Sequence, residues 1–507
     1  MLAQAVSATL RGIDGQRVVV EVHVGNGLPA FNVVGLPDAS CREARDRVRA
    51  AILSSGFKWP SARITVNLAP SGVRKEGAGL DLAIALGVLA AGTDLLEHSP
   101  LDDYGFVAEL GLDGSLRPVP GTLSLVASME QPTVVVASGA AHEATLGSDA
   151  VIRGCSSLGE VVACLEGLAP WPGIPDLPPD VAAPAVPDLA DVAGHPFARH
   201  ALEIAAAGGH NLLMVGPPGT GKSMLARRLP GILPDLDTET ALVSSRVHSV
   251  AGLPLPNARL LSVPPFRAPH HSASMTSLIG GGTGRFRPGE VSCAHGGILF
   301  LDELGEFSPR TLDALRQPLE DGRIRISRAH GSVTFPARFG LVAAMNPCPC
   351  GLLGSAEPCR CSDAARQRYM RRLSGPLLDR IDLRVHVERP TVGQLLDGEI
   401  GEGSAAVRAR VLAARERAHD RGVRANAELP AASLDEVASV DAAGTTLLRA
   451  ALDDGRLSAR GLTRVRLVAR TIADLAGLDQ IDERSVAGAL ALRARPALFD
   501  VCEPIRG

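Results

Sequence analysis

Eight consecutive residues, Gly216-Pro217-Pro218-Gly219-Thr220-Gly221-Lys222-Ser223, have the types and spacing needed to grip a chain of phosphates. Glycines let the backbone curl until successive N–H groups face inward toward phosphate oxygens. A helix starting at the end of such a loop adds its positive dipole end. A lysine there reaches the β- and γ-phosphates, and the neighbouring hydroxyl sits on Mg²⁺. Lys222 and Ser223 take those two roles, with Gly216 to Gly221 as the cradle. The elements that must position them are legible on either side. Asn211 to Val215 is an apolar, strand-like run, and Met224 to Leu229 is helix-like.

A second reactive pair follows at Asp302 and Glu303, 80 residues after Lys222 in the case of Asp302. Ile298 to Leu301 is four apolar residues in a row, the signature of a parallel strand buried on both faces, and the two carboxylates stand at its end. This is the Walker B pattern: Asp302 orders Mg²⁺ through its waters, and Glu303 polarises an attacking water. Phe339 to Met345 is another buried strand, ending at Asn346. An amide there is placed to hydrogen-bond a γ-phosphate or the water, the role called sensor 1.

Immediately beyond lie Cys348, Cys350, Cys359 and Cys361, spaced C-x-C-x₈-C-x-C. Four thiolates suit tetrahedral Zn²⁺, although the spacing departs from the common C-x-x-C knuckle. The residues leave a zinc knob at 348–361 and a set of reduced thiols both open. His270 and His271 are expected to serve packing or their loop rather than a metal.

Arg323 to Phe335 alternates apolar and polar residues and reads as a hairpin turning at Arg328-Ala329-His330-Gly331. Arg323, Arg325, Arg328 and His330 form its basic set. Farther on, Arg380 lies among Asp379, Ile381 and Asp382, where a local ion pair is one reading. Arg460, in Leu457-Ser458-Ala459-Arg460, stands just before a later helix, with Arg464 and Arg466 close behind it.

At 507 residues the chain has room for about three domains. Hydrophobic content of 46% and charged content of 21% are those of a globular protein, and the net charge of −4 excludes a globally basic nucleic-acid binder. Any such contact must come from a local patch or a ring of subunits. The first residues, MLAQAVSATLRG, show no basic stretch followed by an apolar one, so no signal peptide is read. The longest uncharged apolar run, 82–93, is short of the roughly 20 residues of a membrane helix. Cytoplasm is expected, without membrane contact.

Four regions follow. Residues 1–168 form an α+β unit, with strands at Arg17 to Val24, Phe31 to Val34, Arg63 to Asn67, Phe106 to Leu110 and Thr133 to Val136. Its helices are Ala39 to Ser55, with Ala44, Val48, Ala51 and Ile52 on one face, and Gly79 to Ala91. Residues 169–190 hold seven prolines and read as a semi-rigid linker. Residues 191–390 carry the nucleotide motifs, with a helix at Phe197 to Ala207. From about 391 to 507 the chain is helical: Ala405 to Asp420 behind a Ser404 cap, Gly461 to Ala476, and Glu483 to Arg493.

Two resemblances add to this. The segment Asn67 to Leu82 (NLAPSGVRKEGAGLDL) resembles the active-site stretch of the Lon protease domain, of the ribosomal-S5 type. Gly79 stands where that family has its nucleophilic serine, so acyl-enzyme chemistry is not expected. Ser71, between proline and glycine, is a turn residue that could only substitute for it. The P-loop, Walker B strand, Asn346 and helical lid together resemble an AAA+ ATPase. The hairpin and the run Leu377 to Leu383 (LLDRIDL) resemble the branch containing magnesium-chelatase subunits and MCM helicases. With FRAPHHSASMTSLIGGG, PGEVSCAHGGILFLDELGEF and AAMNPCPCG, the chain as a whole resembles the ComM/YifB family of magnesium-chelatase-like AAA+ proteins.

That resemblance implies an α/β AAA+ core with a helical lid and a Lon-like N-terminal domain. It also implies a hexameric ring, ATP and Mg²⁺ as cofactors, and branch migration on branched or single-stranded DNA during recombination or transformation. Arg380 would be an arginine finger and Arg460 a sensor 2 reaching the phosphates from the lid. The hairpin arginines would touch DNA phosphates. Two other functions fit the core motifs: a chelatase-type motor remodelling a protein partner, and an ATP-dependent protease, against which Gly79 argues.

Overall fold

The structure is a computed structural model. It describes the chain except residues 73, 97–98, 175, 177–185, 257–258, 283–285, 329–330, 355–356, 392, 395–400 and 494–507. Two large sheets organise it. The first holds strands β1 (Leu2–Arg11), β2 (Asp14–Gly25), β3 (Ala30–Val34), β4 (Arg63–Ala69), β5 (Tyr104–Val107), β6 (Thr133–Ala137) and β7 (Val151–Cys155), in the order β3-β4-β2-β1-β5-β6-β7. β1, β2 and β4 pair antiparallel, whereas β5, β6 and β7 run parallel.

Alternation makes β2 what it is. Val18, Val20 and Val22 are buried, and the residues between them are not. Helix α1 (Ala39–Ser54) buries Ala44, Val48, Ala51 and Ile52 as the periodicity requires. Helix α2 (Asp81–Gly92) is covered on nearly every side and forms the centre of this core. β1 has no counterpart in the sequence reading. Residues 5–10 are buried on both faces, so Ala5, Ser7, Ala8 and Thr9 show no polar–apolar alternation to announce a strand. β7 was not anticipated either.

The second sheet holds β8 (Leu212–Val215), β9 (Phe266–Arg267), β10 (Ile298–Leu301), β13 (Gly340–Met345) and β14 (Leu383–His386), in the order β9-β10-β13-β8-β14. Between β10 and β13 stands a separate ribbon of β11 (Arg323–Arg328) and β12 (Gly331–Pro336). All five strands of the second sheet are parallel, so their C-terminal ends share one edge. β8 and β10 are buried along their whole length.

Helix α3 (Pro196–Gly208) packs on this sheet, and α4 (Ser404–Asp420) and α6 (Ala459–Leu475) pack on α3. Ser404 is not a cap. It is the first residue of α4, its N–H donates to Asp188 and its hydroxyl accepts from the Leu189 N–H. The helix α5 (Ala442–Asp453) was missed, and α7 (Glu483–Arg493) lies where expected. No helix among the described residues is long and apolar enough to cross a membrane.

The two sheets are joined by more than the proline-rich stretch. Glu143 accepts from the Leu123 N–H and the Ser249 hydroxyl, and Arg246 lies 3.8 Å from Asp14. Within the stretch, Trp171 packs against Tyr104 at 5.5 Å between rings.

Candidate nucleotide site

The C-terminal edge of the second sheet gathers the reactive residues. β8 runs into the loop 216–221, and the following helix starts at Lys222 rather than Met224, ending at Ala226. Gly216 lies so close to β14 that a Cβ there would meet the Val387 carbonyl oxygen at 2.1 Å. Only glycine permits that approach. Gly219 and Gly221 both take positive φ, 77° and 83°, which curls the loop. Thr220 closes it with a 3.0 Å bond to the Pro217 carbonyl, and Pro218 lies on its outer side against Gly351.

Lys222 is buried and donates to the carbonyls of Gly216 and Pro217 at 2.7 and 2.8 Å. Its Nζ lies 3.4 Å from Asn346 Oδ1. Burial pulls its pKa down to about 8, with the Asp302 carboxylate opposing. Ser223 donates to Asp302 Oδ2, which brings a hydroxyl and a carboxylate together as a hard-oxygen pair suited to Mg²⁺.

Glu303 follows Asp302 at the end of β10 in a left-handed conformation, φ 52°, with its N–H bonded to Asp302 Oδ1 at 2.9 Å. A non-glycine residue held there is a stored strain of the kind found at functional sites. Its carboxylate is 2.8 Å from His271 Nδ1. Asn346 follows the last residue of β13 and lies beside Lys222.

His271, expected to serve packing or its loop, instead reaches the acid pair. It stands on Glu303 because β9 pairs with β10, and nothing in the local pattern reveals that register. His195 was also missed. It caps α3 in a left-handed conformation, φ 55°, with its ring against Gly221.

Two arginines are elsewhere. Arg380 precedes β14, so it lies at the N-terminal edge of the sheet, where its carbonyl accepts from the Asn211 side chain. Strands of four residues put it about 13 Å or more from the phosphate loop of its own chain. Its guanidinium pairs with Glu320 at 2.5 Å, not with Asp379 or Asp382. Arg460 is exposed at the start of α6, one turn before Arg464, which pairs with Asp382 at 3.1 Å at that same N-terminal edge. Arg460 is also close enough to Glu320 to hold that carboxyl's pKa down, after Arg380. Arg464 and Arg466 are committed to Asp382 and Asp435.

The hairpin forms in the expected register, with Ile324 opposite Phe335 and Ile326 opposite Val333. Arg323 and Arg325 are exposed, and exposed Arg328 lies 5.5 Å over the Phe286 ring. His330 lies outside the described residues. The thiol sulfurs of Cys348, Cys350, Cys359 and Cys361 all lie within 4.8 Å of one another. At the protease-like loop, a side chain at Gly79 would face the methyl groups of Val119 and Val107, and Ser71 is exposed in a turn.

A parallel sheet with this loop and acid pair at one edge defines a P-loop protein. Family models for magnesium chelatase subunit ChlI match residues 188–395, for subunit ChlI of Mg-chelatase residues 20–138, and for the ChlI C-terminal part residues 401–493. The class is therefore that of magnesium-chelatase-type AAA+ proteins. The chain is 45% identical to competence protein ComM of Haemophilus influenzae over 505 residues, 98% of each chain. It is 45% identical to the uncharacterised protein YifB of Salmonella typhimurium over 490 residues, and 44% identical to that of Escherichia coli over 491, in both cases 95% of each chain. The chain belongs to the ComM/YifB family of magnesium-chelatase-like proteins.

Proposed function

We propose that the protein is an ATP-driven ring motor that acts on DNA, a branch-migration translocase of the ComM type. The observation that carries this is the division of the site between the two edges of one sheet. Lys222, Ser223, Asp302, Glu303 and Asn346 converge at one edge, and Arg380, partly buried against Glu320, and the exposed Arg460 stand at the other. A chain so built completes its nucleotide site only when a second copy's arginines reach it.

MgATP, when bound, supplies the γ-phosphoryl group and the cation that neutralises developing charge. Lys222 exchanges its loop carbonyls for phosphate oxygens. Ser223 and Asp302 hold the cation shell. Glu303 takes the proton of the attacking water once it leaves His271, and Asn346 orients that water. Arg380 stabilises charge in the adjoining subunit's site, and Arg460 assists from the same side. The domains are read as 1–168, 169–190, 191–390 and 391–507. The first is Lon-like in fold and without protease chemistry, because Gly79 faces only valine methyls.

Arg323, Arg325 and Arg328, with His330, contact DNA phosphates at the ring axis, a sequence-independent and salt-sensitive interaction. The name of the Haemophilus relative, a competence protein, favours a DNA substrate. The chelatase description of the matched models favours a protein partner as the second reading. ATP hydrolysis measured with and without a four-way junction over a salt series separates them. Stimulation that fades with salt supports the DNA motor. No stimulation at low salt, with recovery of a metal-insertase subunit in a pull-down, supports the other.

A further inference from the structure

We propose that Cys348, Cys350, Cys359 and Cys361 hold a structural zinc ion, and that this ion clasps the loop after Asn346 onto the phosphate loop. Three of the sulfur separations are 3.4, 3.6 and 3.6 Å. Four sulfurs on a tetrahedron of Zn–S bonds of about 2.3 Å lie about 3.8 Å apart. The thiols are thus gathered to nearly that spacing, all within 4.8 Å, around room for one ion and not for a cluster with bridging sulfides. Cys348 is buried and Cys350 exposed, which leaves a route for the metal.

The surroundings fit a tetrathiolate. With zinc bound the site carries two negative charges, each thiol having released its proton to water. The Leu353 N–H donates to Cys348 Sγ at 3.4 Å. Arg366 brings its guanidinium to the Cys361 carbonyl at 3.1 and 3.2 Å, beside the charge that needs offsetting. No helix or strand occurs between 346 and 362 among the described residues, and that stretch buries little apolar surface. A segment of this kind is ordered by a staple rather than by packing.

What the staple holds is the nucleotide edge. Gly351 donates its N–H to the Cys348 carbonyl at 2.9 Å and takes φ 78°. A Cβ on Gly351 would lie 2.6 Å from Pro218 Cδ in the phosphate loop and 3.9 Å from Asn346 Cγ. The metal loop therefore packs on the P-loop at Pro218 and passes beside Asn346, whose amide faces Lys222. The positioning half of this proposal rests on the ATPase reading, and the metal half does not.

The test uses the full chain, purified reduced and without chelator. Zinc is expected at about one per chain, falling to about a tenth of that or less in Cys359→Ser/Cys361→Ser. Cobalt loaded into wild-type protein should give the visible bands of a tetrahedral tetrathiolate, a readout that does not depend on the variant folding. Gly351→Ala keeps all four thiols. It should retain zinc yet bind MgATP about tenfold more weakly, a loss of about 1.4 kcal/mol, because a Cβ there would press on Pro218 of the phosphate loop. Zinc below about 0.1 per chain, or stoichiometric iron in its place, overturns the metal site. Zinc present, with Gly351→Ala and the double serine variant both matching wild type in MgATP affinity, overturns the clasp. Zinc present in a wild type that binds no nucleotide sinks the ATPase reading and the clasp with it, and leaves the metal site standing.

Discussion

The turn after β4 and the turn after β8 are both glycine-rich connections from a strand to a helix, and each carries a buried lysine, Lys75 or Lys222. They differ in what their polar groups are bonded to. Around the first, Asp81 is locked to Arg47 at 2.7 Å, Cys41 leans on the carbonyls of Lys75 and Gly77, and Lys75 donates to the Pro70 carbonyl. The position that would carry a nucleophile faces methyl groups. Around the second, Lys222 rests on loop carbonyls, Ser223 on Asp302 and Glu303 on His271. Those partners can be exchanged for phosphate oxygens, a cation and a water. Two loops of similar outline thus divide into one whose chemistry is closed by internal pairing and one whose partners are replaceable.

The sharpest way to break that contrast is Arg380→Ala, because the replaceable site is read as incomplete within one chain. ATP turnover should fall about 10³-fold or more with MgATP binding intact. Mixing with Lys222→Ala chains, which keep Arg380, should restore part of it. A rate within about tenfold of wild type would mean that no neighbour completes the site. Glu303→Gln comes next. Turnover should drop about 10²–10⁴-fold while the nucleotide stays bound, and hydrolysis at the wild-type rate would remove Glu303 as the base.

How much of this was legible follows from where each signal resides. The P-loop and the β10 strand end are written locally, as a glycine spacing and four apolar residues ending in acids. The β11–β12 ribbon is written as alternation. β1 was invisible because burial on both faces of small residues erases periodicity. The Glu303–His271 contact and the pairing of Arg380 with Glu320, 60 residues away, depend on strand order and helix placement, which no window of sequence contains. The setting of Arg460 is hidden for the same reason: its helix is recognisable, but the edge of the sheet that the helix overlies is a tertiary fact.

Asp81→Asn tests the closed loop. Removing one partner of the buried pair with Arg47 should cost about 3 kcal/mol of stability in urea unfolding. MgATP affinity of the folded protein should not change. Unchanged stability with altered affinity would show that the first loop communicates with the second and is not closed at all.

The smallest effect is a pH dependence, and its sign is diagnostic. The Lys222 pKa is held near about 8 by burial, below the 10.5 of an unburied lysine. Below about pH 8 the lysine is charged both folded and unfolded, and the folded protein bears the full cost of burying that charge. Between about 8 and 10.5 the folded form is neutral and the unfolded form still charged, so this group's penalty fades and apo stability gains as pH rises. Nucleotide binding must go the other way. Phosphate oxygens favour the ammonium, so binding above about pH 8 requires proton uptake, and affinity should fall by up to about tenfold per pH unit. Titrating MgATP affinity from pH 7 to 9.5 for wild type and Lys222→Arg, and apo stability for wild type and Lys222→Met, isolates the group from Lys75, whose pKa burial also lowers. Arginine should hold affinity flat over that range. If wild type is equally flat, the Lys222 ammonium is as fixed in its carbonyl cage as Lys75 is in its own, and the distinction between replaceable and closed partners fails at the residue where it matters most.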